Sequence, residues 1–205
     1  MTSKQSRLPA PERREKILAA ALEVFSERGY SASVGEIATA AGVTRTVLYY
    51  YFPAKNDLFI AVLESLLTQV LKYVAPAAAE ADAHEDRARA VIGALIRFAE
   101  DNPRSWKIIF TQVEDTDPEV AEVLATMEEM GRQTALLLFA EEIDELGLDL
   151  DHPRTQVMAE LLFGGAAQVM RWWSAHPEIP RAVVERAVFD LVWNGVAGVT
   201  RMPDA

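Results

Sequence analysis

Apolar residues recur at intervals of three and four along nearly the whole chain, the signature of amphipathic helices. Alternating runs of β-branched residues and Asn-Gly or Asp-Gly hairpin signals are missing. The pattern predicts a first helix over about 11–28, with Ile17, Leu18, Ala21, Leu22 and Phe25 on one face and Gly29 past its end. A short second helix follows Ser33 and stops at Gly42, and a third runs from Thr44 to about Phe52, where Pro53 ends it. Longer helices are predicted near 55–74, 86–101, 103–113, 118–146, 153–175 and 180–201. Pro76, Asn102-Pro103, Asp117-Pro118, Gly147, His152-Pro153 and His176-Pro177 separate them, and Gly131 is a candidate kink in the longest. The expected fold is all-α, with about nine helices: a three-helix head at 1–54, whose residues 1–10 form a flexible basic tail, and a helical body at 55–205.

Charge divides the chain at the same place. Of its 205 residues, the first 57 carry eight Lys/Arg against six Asp/Glu, while the rest carries twelve against twenty-five. The total of −11 argues against indiscriminate coating of nucleic acid; the mildly basic head alone suits a polyanion. The chain has no cysteine, which excludes a disulfide scaffold and a cysteine nucleophile. The most apolar stretches, around 161–170 and 191–199, fall short of the roughly 18–20 residues of a membrane span. No secretory signal pattern is seen at the N-terminus, so a soluble cytoplasmic protein without a membrane partner is expected.

The window 33–53 is the most informative. Two short helices that cross steeply need a small residue where they meet, a turn residue tolerant of positive φ, and apolar anchors. Ala38, Gly42 and the trio Ile37, Val43 and Leu48 meet those needs at the right spacing. Ser33 and Glu36 form a Ser-x-x-Glu capping box, and Thr44 is a good N-cap. Such a helix-turn-helix places the first residues of its second helix against base edges in the major groove. Arg45 is the best candidate for bidentate readout of guanine, with Thr46 and Val47 beside thymine methyls. Thr44, Tyr49, Tyr51 and Lys55 are candidate phosphate contacts, Ser33 offers a backbone N–H and a hydroxyl, and Tyr50 suits either role. Three consecutive tyrosines, about 100° apart, cannot share one face.

Residues 13–60 resemble the N-terminal domain of the TetR/AcrR family of regulators. The matching words are Ile17-Leu18-Ala19-Ala20-Ala21, Phe25-x-x-x-Gly29-Tyr30, Val34-x-x-Ile37-Ala38, Ala41-Gly42-Val43-Thr44, Leu48-Tyr49-Tyr50-Tyr51-Phe52 and Lys55-x-x-Leu58. Val47 departs from the small or polar residue common at that position. The resemblance implies a ligand-responsive DNA-binding regulator, a repressor released from a palindromic double-stranded operator by an effector. It also implies a homodimer closed by a four-helix interface and an effector site in the body.

Composition adds a weaker guide to those two sites. Methionines and aromatics suit adaptable apolar pockets between helices. Candidate lining residues for a small apolar or amphipathic effector are Leu67, Leu71, Phe98, Trp106, Phe110, Met127, Met130, Phe163 and Met170. Gly164, Gly165, Trp172, Trp173, Val192, Trp193 and Val196 combine small and large apolar residues, as an interface between helices requires. His84, His152 and His176 are far apart and no motif calls for a metal, a cofactor or catalysis. A helical DNA-binding protein without an effector, and a helical enzyme acting on an apolar substrate, are the alternatives. The first should be more basic, and the second lacks any nucleophile or phosphate-loop motif.

Overall fold

The computed structural model describes residues 9–109, 118–145, 147, 149 and 151–200, and of residues 142, 145 and 196–200 the backbone only. The elements are α1 (Ala10–Arg28), a 3-10 turn (Gly29–Ser31), α2 (Val34–Ala41), α3 (Arg45–Tyr51), α4 (Lys55–Glu80), α5 (His84–Asp101), α6 (Pro103–Ile109), α7 (Pro118–Leu138), α8 (Ala140–Glu145), α9 (Pro153–Ser174) and α10 (Arg181–Thr200). No strand occurs among the described residues.

Local chemistry sets the head. Ser33 caps α2: its hydroxyl accepts from the Glu36 N–H at 3.2 Å, and its own N–H donates to the Glu36 carboxylate at 2.8 Å. The reciprocal pair serves donors of the first turn, where the Glu36 N–H also reaches the Ser33 carbonyl at 3.1 Å. Gly42 ends α2 in the left-handed region, at φ 65° and ψ 35°, and its N–H returns to Ala38 and Thr39 carbonyls. A side chain there would be strained, so the turn depends on glycine. Thr44 then caps α3 by accepting from the Val47 N–H at 3.2 Å. At the start of α4, Asp57 accepts from the Ala54 N–H at 2.8 Å.

Three apolar cores hold the helices together. The first joins Ile17, Ala21 and Phe25 of α1, Ile37, Ala38 and Ala41 of α2 and Leu48 of α3 to Leu58, Phe59, Val62, Leu63 and Leu66 of α4. It also takes in Ile108 of α6 and Val120 of α7, so it crosses the expected head–body boundary at 54/55. The second gathers Ile96 and Phe98, Trp106, Met170 and Trp173, and Val184 from α5, α6, α9 and α10. The third gathers Leu136, Phe139, Ile143 and Ala159 with Val192 and Trp193.

Three expectations are corrected. Pro76 does not end α4, which continues to Glu80. The proline removes the N–H that would bond the Lys72 carbonyl, but α5 packs along α4 and retains the helix. The long helix expected at 118–146 divides at Phe139, not Gly131, into α7 and α8. Gly131 stays helical because the Phe163 ring of α9 lies on it; a Cβ there would stand 2.9 Å from Phe163 Cδ2. Finally, α4 is long and apolar enough, by length and composition, to cross a membrane. Its residues up to Leu66 instead complete the first core.

Replacing Gly42 by alanine should lower the free energy of unfolding by about 1–2 kcal/mol, the left-handed penalty of an L-residue. Urea unfolding at fixed protein concentration measures it, and unchanged stability would show that the turn does not need glycine.

Candidate nucleic-acid interface

The turn after α2 leads into α3, which meets the first core through Leu48 and, less fully, Tyr51. Leu48 is fully buried, while Arg45, Thr46, Tyr49 and Tyr50 are exposed, Tyr50 at 81%. Exposure of an apolar-rich seven-residue helix is explained if that face meets a partner. Val47 and Tyr51 are half-buried; Tyr51 packs edge-on to Tyr50, with ring centroids 5.3 Å apart. Val47 therefore has a shorter reach than Arg45 or Thr46. Its neighbours Val43 and Leu48 belong to the packing of the turn.

Lys55, the first residue of α4, lies with its ammonium 4.3 Å from the Tyr30 ring centroid. Burial pushes its pKa below the usual lysine range. The Tyr30 hydroxyl donates to the Asn56 side-chain carbonyl, which fixes the ring under Lys55. On the other flank Arg14 stacks over Phe52 at 5.0 Å from the centroid. Cations from α1 and α4 thus lie over the rings of Phe52, the residue that follows α3, and Tyr30. A phosphate backbone would be met by such an arrangement of fixed cations and hydroxyls.

Ser33 requires a correction. It lies exposed at the start of α2, but its N–H is already given to Glu36. Its hydroxyl also faces the Glu36 carboxylate, so a phosphate contact from Ser33 has to compete with that bond. The Ser33 N–H, then the Ser33 hydroxyl, hold the Glu36 carboxyl below the usual carboxylate range, and Arg28 adds to this from 3.9 Å. Thr44 likewise accepts with its hydroxyl oxygen and retains a proton to donate.

Gly35 and Asn56 escaped the sequence reading. Gly35 lies in the first turn of α2 directly under the Arg45 guanidinium. The signal available was a glycine inside a capped helix, at a position where no turn is needed.

In the body, the candidate effector residues do not gather in one place. Phe98, Trp106 and Met170 meet in the second core, with the Phe98 and Trp106 rings 6.2 Å apart. Leu67, Met127 and Phe163 are half-buried, Leu71 and Met130 are exposed, and Phe110 lies outside the described residues. Two open clefts are lined by none of these nine. One, of about 820 Å³, runs from Lys72 and Tyr73 past Asp86 and Arg97 to Glu185. The other, of about 350 Å³, lies between α1 and α4, from Glu15 to Lys72.

The candidate interface residues also separate. Gly164, Gly165 and Trp172 are exposed on α9, beside Val157 and Leu161. These five share one face, spanning about 100° at helical spacing. Trp173 turns inward: it is 8% exposed and its indole N–H donates to the Ile179 carbonyl at 2.9 Å. Val192 and Trp193 pack within the third core, where Trp193 stacks on Phe189 at 5.8 Å. The side chain of Val196 lies outside the described residues. Among the described residues no group of three or more His, Asp or Glu could hold a metal. His152 and His176 are engaged locally, with the Arg154 N–H and the Trp172 carbonyl, whereas His84 of α5 reaches across to the Leu138 carbonyl of α7.

The Glu36 shift carries a pH dependence. A carboxyl with a depressed folded pKa contributes stability above its unfolded value, about 4.3, and loses that contribution as pH falls through the folded value. In an NMR titration Glu36 should have its inflection below that of an unstructured glutamate, with the Ser33 amide following it. Ser33→Ala should return Glu36 toward the ordinary range; an ordinary inflection in the wild type would contradict the box.

Residues 17–62 match the family described as bacterial regulatory proteins, tetR family. The HTH-type transcriptional activator FasR of Mycolicibacterium smegmatis is 30% identical over 197 residues, covering 95% of this chain and 87% of the relative. A TetR-like transcriptional regulator from Rhodococcus sp. RHA1 superposes with a TM-score of 0.76 at 25% identity, over 94% of this chain and 100% of that one. The transcriptional regulator FadR from Bacillus subtilis, in complex with stearoyl-CoA, shares the fold at a TM-score of 0.68 and 18% identity, over 88% of this chain and 98% of that one.

Proposed function

Because the chain belongs to the tetR family of bacterial regulatory proteins, and is a DNA-binding transcriptional regulator rather than an enzyme, we propose how it reads DNA and what controls it. A cytoplasmic homodimer binds a palindromic operator, the exposed face of α3 lies in the major groove, and a small amphipathic effector in the body weakens that binding. The observation that carries the reading is the outward face of α3. Arg45, Thr46, Tyr49 and Tyr50 are exposed there while Leu48 pins the helix from behind. Arg45 bridges guanine O6 and N7. Thr44, Tyr49, Tyr51, Lys55 and the Ser33 hydroxyl border it as phosphate contacts, and Tyr50 and Val47 complete the surface.

A second copy covers α9. Val157, Leu161 and Trp172 form an exposed apolar strip, and Gly164 and Gly165 leave open space for close approach of a partner helix. Leu191 of α10 is also exposed, at 77%. An isologous two-fold interface on this face presents two heads to the two half-sites.

Effector control follows from the shared core. Ile108 and Val120, at the ends of α6 and α7 nearest the head, are packed with Phe25 and Leu66. Arg104 of α6 also reaches Glu23 of α1 at 3.7 Å. A ligand that parts the helices around Phe98, Trp106 and Met170 displaces these ends and tilts α4 with the head. It shifts the dimer toward a head spacing that DNA does not fit. The stearoyl-CoA bound to FadR, a protein of the same fold, supports an amphipathic ligand class. FasR bears the name of an activator, so loss of DNA binding can lower or raise transcription according to operator position.

Arg45→Ala should cost about 1–3 kcal/mol of operator affinity, roughly fivefold to 150-fold, and relax the base preference at one position per half-site. Gel-shift titration at fixed salt reads this, and an unchanged operator preference would remove Arg45 from base readout. Leu161→Glu should give monomers in sedimentation equilibrium and abolish binding to the palindrome. A Leu161→Glu protein that dimerises like the wild type would place the interface elsewhere. Acyl-CoA thioesters titrated into the operator complex should release DNA; no release across chain lengths would exclude this ligand class.

A further inference from the structure

Gly35 is the second residue of α2 and lies in ordinary helical backbone, without the positive φ seen at Gly29 and Gly42. Glycine is the poorest helix former after proline, and α2 has only eight residues, so the backbone does not explain the choice. The surroundings do. The three nearest atoms to a Cβ built at Gly35 all belong to Arg45: it would collide with Nη2 and stand 2.8 Å from Nε and 2.9 Å from Cζ. The guanidinium reaches back from the first turn of α3 and rests on the first turn of α2. The backbone of that turn is fixed by the Ser33–Glu36 box and by the Thr39 hydroxyl, which donates to the Gly35 carbonyl at 2.9 Å.

We propose that Gly35 is a positioning residue for DNA readout: by lacking a side chain it forms a seat that pre-sets the Arg45 guanidinium before DNA arrives. This rests on the reading of Arg45 as the base reader. A long arginine side chain loses much rotamer freedom when it is fixed against a base. A guanidinium already confined against α2 has less to lose, so the seat strengthens discrimination between operator and random DNA. Any larger residue at position 35 pushes Nη2, Nε and Cζ off the seat and returns the side chain to a broad set of rotamers.

The test compares the wild-type dimer with Gly35→Ala, Arg45→Ala and the double variant. The DNA probes are a duplex selected from a random pool on the wild type and a scrambled duplex of the same length. Alanine is the better helix former, so Gly35→Ala should melt no lower than the wild type. It should move the Arg45 Nε–Hε NMR resonance of the free protein. It should also reduce operator-over-scrambled discrimination roughly five- to tenfold, a part of what one bidentate base contact supplies. In the Arg45→Ala background the same substitution should cause no further loss. An unmoved Arg45 resonance overturns the seat. Unchanged or improved discrimination, or an equal loss in both backgrounds, overturns its role in readout. If Arg45→Ala itself leaves discrimination intact, the base-reader assignment fails and the readout role falls with it, whereas the resonance still reports the seat separately.

Discussion

The interlocking of Phe25, Tyr30 and Phe59 is the contact on which the rest of the molecule depends. Phe59 of α4 meets Phe25 of α1 edge-on at 4.9 Å and Tyr30 at 5.0 Å. Edge-to-face pairs add direction to apolar burial, so the angle between α1 and α4 is specified along with their contact. Tyr30 then supports Lys55 and Asn56, and Phe25 continues into the packing of Ile37 and Leu48. The orientation of α3 is in this way tied to α4, which continues from the first core toward the second. Ile108 and Val120 belong to the same close-packed core, so the body reaches the head through continuous side-chain packing.

The head was legible in the sequence because its structure is decided by near neighbours. The Ser33–Glu36 box, the Gly42 turn and the Thr44 cap each act within four residues. Their chemistry leaves few alternatives, and the all-α class followed from the helical period throughout. Within that frame, what escaped was a contact across the turn: the space at Gly35 has meaning only once Arg45 is seen to fill it.

The body was less legible because distant packing decides it. Pro76 should break a helix on local grounds, yet α4 continues through it with α5 packed alongside. Gly131 has the composition of a kink, but the Phe163 ring makes it a packing site, and the break falls at Phe139. Trp172 and Trp173 are the same residue type one step apart. Helical geometry sends one to the surface and the other to the Ile179 carbonyl. An apolar stripe likewise fits a core and a ligand site equally well. Phe98 is fully buried and Leu71 is half exposed, a difference that no spacing rule contains.

Two copies of α3 reading two halves of one site are the centre of the proposed function. Selection of bound duplexes from a random pool, with the 205-residue chain at moderate salt, tests this directly. The expected result is enrichment of a two-fold symmetric sequence whose half-sites each contain a guanine in the major groove facing α3. Enrichment of an asymmetric sequence, or no enrichment over the starting pool, would contradict it.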